Sequence, residues 1–537
     1  MRNKLPLTIF LIGVLIRILW LGEIPSGFFR DEAALGYNAY SIWETGRDEF
    51  GQSFPLVFRS YEVFFLPLYV YLSAPVVGIF GLTEVTTRFI SSLSGILALT
   101  LVYFIAKEVF DRKIAVISLI LLTISPWHVF YSRGAFEGNL GLTFFAAGFL
   151  FFILFLKTKR AGFTYLSSLS FIASIYSYQS ERVIVPLFVI VCLLLTFKKL
   201  WPSRAKILTP TLASLVLLFP ILSFTSKAAG THRAFGVSIF NSVPHGWIEN
   251  TDAGFLSNNP FFLRGRQVAA LYVSYFSPKN LFVEGDYDKQ RSVVNFSVFY
   301  TFMFPFMIIG FWKILKRRSL QDKLILAWTF LAPVPASLTG DPFHTYRSLL
   351  LYFPLTIISA VGLNLAYRIF VESKLFAGIT TIFLLSNFAN FIFSYTTITQ
   401  TERARNWDYG YKEIVAFVKS QGPGRIVVDD PWTESYIHYL FFAKVDPEIY
   451  QNAVLKLIKP KDFYYEDSSE IRPERVENWE FRSVDWSKER GNGGTTFIFW
   501  ADDLPESEFE GDPNVELLRE IMYPDGDIAY RIVRIKG

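Results

Sequence analysis

Long apolar stretches fill most of residues 1–395, whereas charged residues concentrate after residue 400. A hydrocarbon core of roughly 30 Å requires about 20 mostly apolar residues in each spanning helix. Eleven stretches approach that length, at about 5–21, 88–108, 114–130, 139–156, 163–178, 183–197, 207–224, 296–312, 323–339, 348–366 and 375–395. The pattern therefore predicts an α-helical polytopic membrane protein with about eleven transmembrane helices.

The pattern changes after residue 398. Strand-like stretches occur at 425–430, 495–503 and 528–536, and helix-like stretches at 411–420 and 448–458. Such alternation is typical of an α/β domain. We therefore predict two domains, a membrane domain at 1–398 and a soluble α/β domain at 399–537.

Basic residues occupy alternate short loops, which sets the expected orientation. The basic loops are Arg2/Lys4, Arg112/Lys113, Lys157/Lys159/Arg160, Lys198/Lys199/Arg204/Lys206, Lys313/Lys316/Arg317/Arg318/Lys323 and Arg368/Lys374. Because short cytoplasmic loops are enriched in Lys and Arg, the N-terminus is predicted to be cytoplasmic. Two long loops, at about 22–87 and 225–295, and the C-terminal domain are then extracytoplasmic.

Residues 64–80 are apolar but interrupted by Pro67 and Pro75. A membrane span here would move every later basic loop to the outside, against the positive-inside rule. We therefore predict an interfacial or re-entrant element.

Charge and cysteine content exclude several classes of protein. The net charge of +5 arises at helix ends and does not indicate a nucleic-acid surface. Cys192 is the single cysteine, which excludes disulfides within the chain and Cys-based zinc sites. No phosphate-binding P-loop motif occurs, which argues against an ATP-driven pump.

An acidic pair, Asp31-Glu32, follows the first apolar segment in the first outside loop. A hydroxyl group is a poor nucleophile at neutral pH, and a positioned carboxylate can accept its proton during attack. The alternative is that Asp31 caps a helix that starts near Ala33, with Glu32 in its first turn. A second pair, Asp48-Glu49, is predicted to be a solvated turn.

A second acidic loop, SRGAFE at 132–137, is predicted on the same side of the membrane. Arg133 and Glu137 stand at helical spacing, so a local ion pair is one interpretation. The other makes Glu137 a second carboxylate of the site and directs Arg133 toward a phosphate.

Several segments resemble the C-type membrane glycosyltransferases, in the branch of protein O-mannosyltransferases and lipid A aminoarabinose transferases. They are the Asp-Glu pair with ALGYNAYSIWETGRDEFG after it, LPLYVYLSAPVVGIFGLTEVTTRFISSLSG (66–95), SPWHVFYSRGAFEGNL (125–140), FSPKNLFVEGDYDKQRS (276–292) and GDPFHTYRSLLLYFPL (340–355). The resemblance covers roughly residues 5–395. It implies transfer of a sugar, with inversion, from a polyprenyl-phosphate donor to a hydroxyl, with Asp31 as the base and Glu32 beside it. It also favours Glu137 as a site residue.

Such a transfer releases a lipid phosphate, which cations would stabilise. We predict Arg347 and His344 first, with Arg133 and Arg291 as further candidates. Arg347 could instead anchor a helix end at the lipid headgroups. His232 and Arg233 fit an ordinary loop better.

The sequence thus predicts a hexosyl or pentosyl transferase of the plasma membrane. Its expected partners are a polyprenyl-phosphate sugar, membrane lipid and an acceptor protein, lipid or glycan, without nucleic acid. No cofactor is expected. A divalent metal is possible but not favoured, because the adjacent Asp31 and Glu32 resemble the metal-independent branch of the family more closely than the Asp-x-Asp loops of its metal-dependent members. The alternatives are a transporter or flippase of lipid-linked sugars, which the loop position of the carboxylates disfavours, and a sensor or adhesion protein.

Overall fold

The computed structural model describes residues 4–60, 63–225, 238–240, 259–370, 372–431, 434–457 and 472–536. The predictions for His232 and Arg233 lie outside these residues, as does much of the predicted 225–295 loop. The chain divides into two compact units. A membrane unit comprises Met1–Leu19 and Ser91–Tyr395, and a mixed unit comprises Trp20–Ile90 and Thr396–Gly537.

The membrane unit is built of helices, and each of the eleven predicted segments contains one. The longer helices are Leu5–Ile18, Glu84–Val109 (from Ser91 onward), Arg112–Thr123, Glu137–Thr158, Gly162–Ile175, Glu181–Leu200, Arg204–Thr225, Pro260–Ser274, Phe304–Arg317, Leu320–Leu331, Leu349–Ile369 and Lys374–Phe393. Short helices occur at Pro126–Tyr131 and Val334–Ser337. The polytopic membrane character is therefore confirmed.

The number of spans stays a prediction. Five helical segments among the described residues are long and apolar enough to cross a membrane, namely Glu84–Val109, Glu137–Thr158, Glu181–Thr225, Leu349–Ile369 and Lys374–Glu402. Leu5–Ile18 and Gly162–Ile175 are apolar but shorter.

Small residues allow two of the membrane helices to pack closely. Leu349–Ile369 is buried over nearly its whole length and packs against Phe304–Arg317. A Cβ on Gly310 would overlap the carbonyl of Ile358, and one on Gly362 would overlap that of Phe306. Glycine at these positions therefore lets the two backbones approach each other, as is common in membrane helix pairs.

The mixed unit begins with the first predicted outside loop. It contains the helix Arg30–Thr45, a two-stranded antiparallel hairpin (β1, Phe58–Ser60; β2, Val63–Phe65) and the helix Pro67–Phe80. The last helix has 14 residues, about 21 Å at 1.5 Å per residue, which is short for a core of about 30 Å. The interfacial or re-entrant position stays a prediction that this length favours.

The C-terminal part of the mixed unit contains a six-stranded sheet in the order β4-β5-β3-β6-β8-β7. Its strands are β3 (Arg425–Asp429), β4 (Arg475–Val476), β5 (Trp479–Arg482), β6 (Thr495–Trp500), β7 (Val515–Met522) and β8 (Ile528–Ile535). Strand β3 runs parallel to β5 and β6, and the other pairs are antiparallel. The three predicted strands are β3, β6 and β8.

Helices accompany this sheet along the chain, at Thr399–Glu402, Tyr411–Ser420, Tyr436–Ala443, Pro447–Leu455 and Trp486–Glu489. The two predicted helices are therefore present. The core of the sheet is apolar, with Val427, Phe497 and Val533 fully buried.

The first-loop helix, Arg30–Thr45, packs against the C-terminal helices. The Tyr37 hydroxyl donates to the carbonyl of Val445 at 3.1 Å, and the amide of Gln451 donates to the Ser41 hydroxyl at 3.0 Å. The predicted boundary at residue 398 lies close to the division after Tyr395. The grouping of Trp20–Ile90 with the C-terminal residues was not predicted.

Candidate active site

The acidic pair lies in the first turn of the first-loop helix. The helix begins at Arg30 with Phe29 at the N-cap, and the Glu32 carboxylate accepts from the Phe29 N–H at 3.3 Å. Asp31 is half-buried, whereas Glu32 is buried. The alternative that Asp31 caps a helix starting near Ala33 is therefore wrong. Both carboxylates lie where the helix dipole favours negative charge.

Glu32 is held by a buried arginine. Arg88 donates to the two Glu32 oxygens from Nε at 2.9 Å and from Nη2 at 2.8 Å. Its remaining donors bond the carbonyls of Leu21, Pro25 and Gly27 at 3.1, 3.3 and 2.9 Å. All five guanidinium N–H groups are thus used, and a bidentate pair of this kind fixes the carboxylate. The Glu32 carboxylate is therefore held by a residue outside its own helix.

Arg88 was not predicted as a site residue. It stands in the family-like segment 66–95, where it is the single Lys or Arg. An isolated arginine in an apolar stretch usually has a buried partner. That signal identifies the residue but not its partner, because Glu32 lies 56 positions earlier in the chain.

A further charged group borders the start of the same helix. The Arg30 N–H donates to Asp408 at 2.9 Å, and the Arg30 side chain pairs with Asp408 and Glu434. His438 Nε2 lies 3.5 Å from the Asp408 carboxylate. Burial by itself would raise the pKa of Asp408, but the hydrogen bond and charge of His438, together with Arg30, bring it below its ordinary value.

Asp48-Glu49 is buried, so the predicted solvated turn is wrong. Both side chains are fully inaccessible. Glu49 accepts from the Asn38 amide at 3.0 Å and from the Tyr436 hydroxyl at 3.1 Å. Burial raises the pKa of Glu49 to about 8, against the lowering effect of these hydrogen bonds. The burial was not predicted because one of the groups that surround Glu49, Tyr436, lies 387 positions later in the chain.

Glu137 begins the helix Glu137–Thr158 in the membrane unit and is buried. The Tyr346 hydroxyl hydrogen-bonds the Glu137 carboxylate and accepts from the Gly138 N–H at 2.8 Å. A Cβ at Gly138 would lie 2.7 Å from the Tyr346 ring, so glycine permits this approach. Arg133 donates to the carbonyls of Ile16 at 2.6 Å and Leu19 at 2.7 Å.

A network of ring contacts, hydrogen bonds and an ion pair connects the Glu137 region to Arg291. The ring of Tyr346 stacks on Tyr131, with centroids 5.5 Å apart. The hydroxyls of Tyr131 and Thr345 are 2.6 Å apart, and Thr345 donates to Asp286 at 2.6 Å. Arg291 closes the series by pairing with Asp286 at 3.0 Å. Arg291 also pairs with the neighbouring carboxylate Asp288, at 2.6 Å.

His344 and Arg347 flank this network on the segment between two helices. The His344 N–H donates to the Tyr275 hydroxyl at 3.2 Å, and His344 Nδ1 accepts from the Arg347 N–H at 3.2 Å. The Arg347 guanidinium pairs with Asp341 at 2.9 Å. The membrane unit therefore contains Glu137, Arg133, Arg291, His344 and Arg347. The mixed unit contains Asp31 and Glu32.

Metal binding would require several ligand side chains close together. Within the ranges that the structure describes, no group of three or more His, Cys, Asp or Glu side chains has the arrangement of a metal site.

Comparison with known proteins supports the predicted resemblance. Residues 66–224 match the family model of dolichyl-phosphate-mannose-protein mannosyltransferase. A comparison with curated protein sequences found no match.

Solved structures of similar fold include two of ArnT from Cupriavidus metallidurans, both 12% identical to this chain. The apo structure has a TM-score of 0.57, covering 99% of this chain and 97% of that one. The structure bound to undecaprenyl phosphate has a TM-score of 0.58, covering 98% and 97%.

The archaeal oligosaccharyltransferase AglB from Archaeoglobus fulgidus, with an inhibitory peptide and a dolichol-phosphate, is 14% identical with a TM-score of 0.49. The match covers 82% of this chain but only 63% of the length of AglB. The chain shares its fold with ArnT, and the predicted resemblance to the ArnT-like and protein mannosyltransferase-like branch is confirmed.

Proposed function

We propose that the protein transfers a sugar from a polyprenyl-phosphate donor to an acceptor hydroxyl on the extracytoplasmic face of the plasma membrane. The N-terminus is then cytoplasmic and residues 399–537 extracytoplasmic. The reaction is a displacement at the anomeric carbon with inversion. The acceptor oxygen forms a bond to that carbon as the bond to the donor phosphate breaks.

The observation that supports the proposal is the difference in burial between the two residues of the acidic pair, Asp31 and Glu32. Glu32 is paired with Arg88 and buried, while Asp31 beside it is half-exposed in the first turn of the helix. A general base must be accessible to the acceptor and held in position. Asp31 meets both requirements, and Glu32 acts by positioning it.

The residues of the membrane unit supply the remaining roles in this mechanism. Glu137 orients the acceptor, and Arg347 with His344 stabilises the charge that develops on the departing phosphate. Arg291 and Arg133 are further phosphate candidates. Their assignment to the same reaction as Asp31 follows from the sequence resemblance. The ArnT structure bound to undecaprenyl phosphate supports a lipid-phosphate donor.

The proposed displacement uses no resident cofactor and no metal. Asp31 takes the hydroxyl proton during attack, and the phosphate leaves as its lipid-linked anion. Preorganised cations directed at this charge would provide a large part of the rate enhancement.

The test is a transfer assay with the purified protein and a panel of synthetic polyprenyl-phosphate hexoses and pentoses. Asp31→Asn should reduce the rate by about 10²- to 10⁴-fold, the usual contribution of a general base. Donor binding, measured separately, should remain within a few-fold of the wild type. Glu44→Asn, an exposed acidic position on the same helix, is the matched control. Full activity in Asp31→Asn would refute the assignment.

The same assay distinguishes the transporter alternative. A flippase would move fluorescent donor across vesicle membranes without forming a glycosylated product. Product formed by the wild type and lost in Asp31→Asn supports the enzyme.

A further inference from the structure

Three lysines converge at one end of the membrane unit, at residues 159, 199 and 206. Lys159 donates to the Lys199 carbonyl at 2.9 Å, and Lys206 donates to the Lys159 carbonyl at 2.9 Å. Burial, followed by the charges of the other two lysines, lowers the pKa of Lys159. Among the described residues, none of the three pairs with a carboxylate. The cluster, which we call the lysine triad, is therefore a site of uncompensated positive charge.

An apolar groove begins beside the lysine triad. Leu200 and Ile207, which follow Lys199 and Lys206 in the chain, line it together with Thr164. The groove then continues between helices to Ile175 and Leu218. Its walls come from the four helices between residues 137 and 225.

A proline in the helix Arg204–Thr225 leaves one carbonyl of the lysine triad without its usual helical partner. Pro210 has no N–H to bond the Lys206 carbonyl, four residues earlier. The Thr164 hydroxyl donates to that carbonyl instead, at 3.0 Å. This bond links the first turns of the helices Arg204–Thr225 and Gly162–Ile175.

The outer faces of the helices that flank the groove are suited to lipid. Leu194, Val216 and Phe219 are each more than two-thirds exposed. Large apolar side chains at such exposure contact hydrocarbon in a membrane protein. The groove therefore faces the acyl region of the bilayer.

The dimensions of the groove match one leaflet. Thr164 and Ile175 lie on one helix, about 16 Å apart at 1.5 Å per residue. Half of a hydrocarbon core of roughly 30 Å is about 15 Å. The length therefore fits an acyl chain of one leaflet, with its headgroup at the lysine triad.

The lysine triad lies at the opposite end of the membrane unit from Glu137. Lys159 follows the last residue of the helix Glu137–Thr158, whose 22 residues extend about 33 Å. A second helix, Glu181–Leu200, likewise has a glutamate, Glu181, at its first residue and a lysine of the triad, Lys199, next to its last. The groove is thus separate from the candidate active-site residues of this unit.

We propose that this groove is a binding site for an anionic phospholipid of the bilayer, with the headgroup phosphate on Lys159, Lys199 and Lys206 and one acyl chain along the groove. Charge complementarity selects the headgroup, because a triad without carboxylates favours a net negative lipid over a zwitterionic one. The apolar walls favour an acyl chain over water. The site adds lipid recognition on the membrane face opposite to Glu137.

The first experiment measures lipid retention by native mass spectrometry of the full-length protein in detergent. Palmitoyl-oleoyl phosphatidylglycerol and the matching phosphatidylcholine are the two probes. The wild type should retain phosphatidylglycerol with at least about 10-fold preference. The triple variant Lys159→Gln, Lys199→Gln, Lys206→Gln should reduce this preference to within about 2-fold, because glutamine keeps an N–H donor for the carbonyls but removes the charge.

The control is the triple variant Lys313→Gln, Lys316→Gln, Lys323→Gln, which removes equal charge from another basic loop. It should keep the wild-type preference. Equal retention of both lipids by the wild type, or an equal loss in both triple variants, would overturn the proposal.

The second experiment fills the groove. Ser168 lines it, whereas Leu169 points outward and is 58% exposed. Ser168→Phe should reduce phosphatidylglycerol retention at least about 5-fold, and Leu169→Phe should not. Undecaprenyl phosphate is a competitor. If the wild type retains it in preference to phosphatidylglycerol at equal concentration, and Ser168→Phe loses that retention, the occupant is a prenyl lipid and the phospholipid assignment is wrong.

Discussion

Two buried glutamates, one in each unit, are stabilised in different ways. Glu32 in the mixed unit meets the full guanidinium fork of Arg88. Glu137 in the membrane unit is bonded by the phenol of Tyr346, within an aromatic cluster that includes Tyr131. The first arrangement compensates charge with charge, and the second includes a neutral donor.

The difference indicates which carboxylate is free to change its interactions. A bidentate ion pair in which every arginine donor is used holds Glu32 in one geometry. Breaking it leaves two buried charges without each other's compensation. A phenol hydrogen bond is weaker than a bidentate ion pair and is more easily exchanged for an acceptor hydroxyl. We therefore expect Glu32 to be a positioning residue and Glu137 to respond to bound substrate.

Removal of Arg88 tests the ionic side of the comparison and has the largest expected effect. Arg88→Met leaves the Glu32 charge buried and uncompensated, which should lower the free energy of unfolding by about 3–5 kcal/mol. Thermal unfolding of the purified protein measures the change. The double variant Glu32→Gln, Arg88→Met should recover part of the loss. An unfolding midpoint equal to that of the wild type would show that the ion pair is not stabilising.

The pH dependence of unfolding tests a buried glutamate with neutral hydrogen-bond donors in the mixed unit. Because the folded pKa of Glu49 is about 8 against an ordinary 4.5, the folded state retains a proton that the unfolded state loses in this range. Stability from Glu49 is therefore fully present below about pH 4.5 and lost as pH rises through 8. Between pH 5 and pH 7 the loss should be about 2.5 kcal/mol.

Glu49→Gln should remove this pH dependence, because the amide cannot ionise. Glu44→Gln, at an exposed position of the first-loop helix, should retain it. Parallel curves for the wild type and Glu49→Gln would contradict the assigned protonation.

Deletion of one hydroxyl tests the neutral side of the comparison. Tyr346→Phe removes the bond to Glu137 and the acceptor for the Gly138 N–H, and should lower stability by about 1.5 kcal/mol. Because Glu137 then loses a contact that orients it, the transfer rate should fall about 10-fold, which corresponds to about 1.4 kcal/mol of activation free energy. Tyr176→Phe also loses one hydrogen bond, to Leu217, but should leave the rate unchanged. Equal rate losses in both variants would remove Tyr346 from the site.

Chelation has the smallest expected effect. If charge on the departing phosphate is balanced by arginine and histidine, transfer measured after EDTA treatment should equal that of the untreated protein. A rate that falls with EDTA and returns with a divalent cation would show that a metal carries this charge.

Part of the fold could be predicted because local pattern decides it. Apolar runs near 20 residues identified eleven of the twelve longer helices in the described part of the membrane unit, and strand periodicity identified β3, β6 and β8. The helix Pro260–Ser274 was not predicted and lies in the predicted 225–295 loop. The strands β4 and β5 have two and four residues, too short for a periodic signal. The assignment of Asp31 and Glu137 as site residues rests on segments whose order resembles a family, and it remains a prediction.

Hydropathy by itself determined that this chain enters a membrane, because burying apolar side chains in hydrocarbon depends on the local run of residues. Only the tertiary structure decided that Glu32 meets Arg88, that Glu49 is buried, and that the first loop joins the C-terminal residues in one unit. Each of these depends on contacts between segments far apart in the chain. The charge state of a carboxylate follows from the groups that surround it in space, and Arg88, the charged partner of Glu32, lies 56 positions away in the chain.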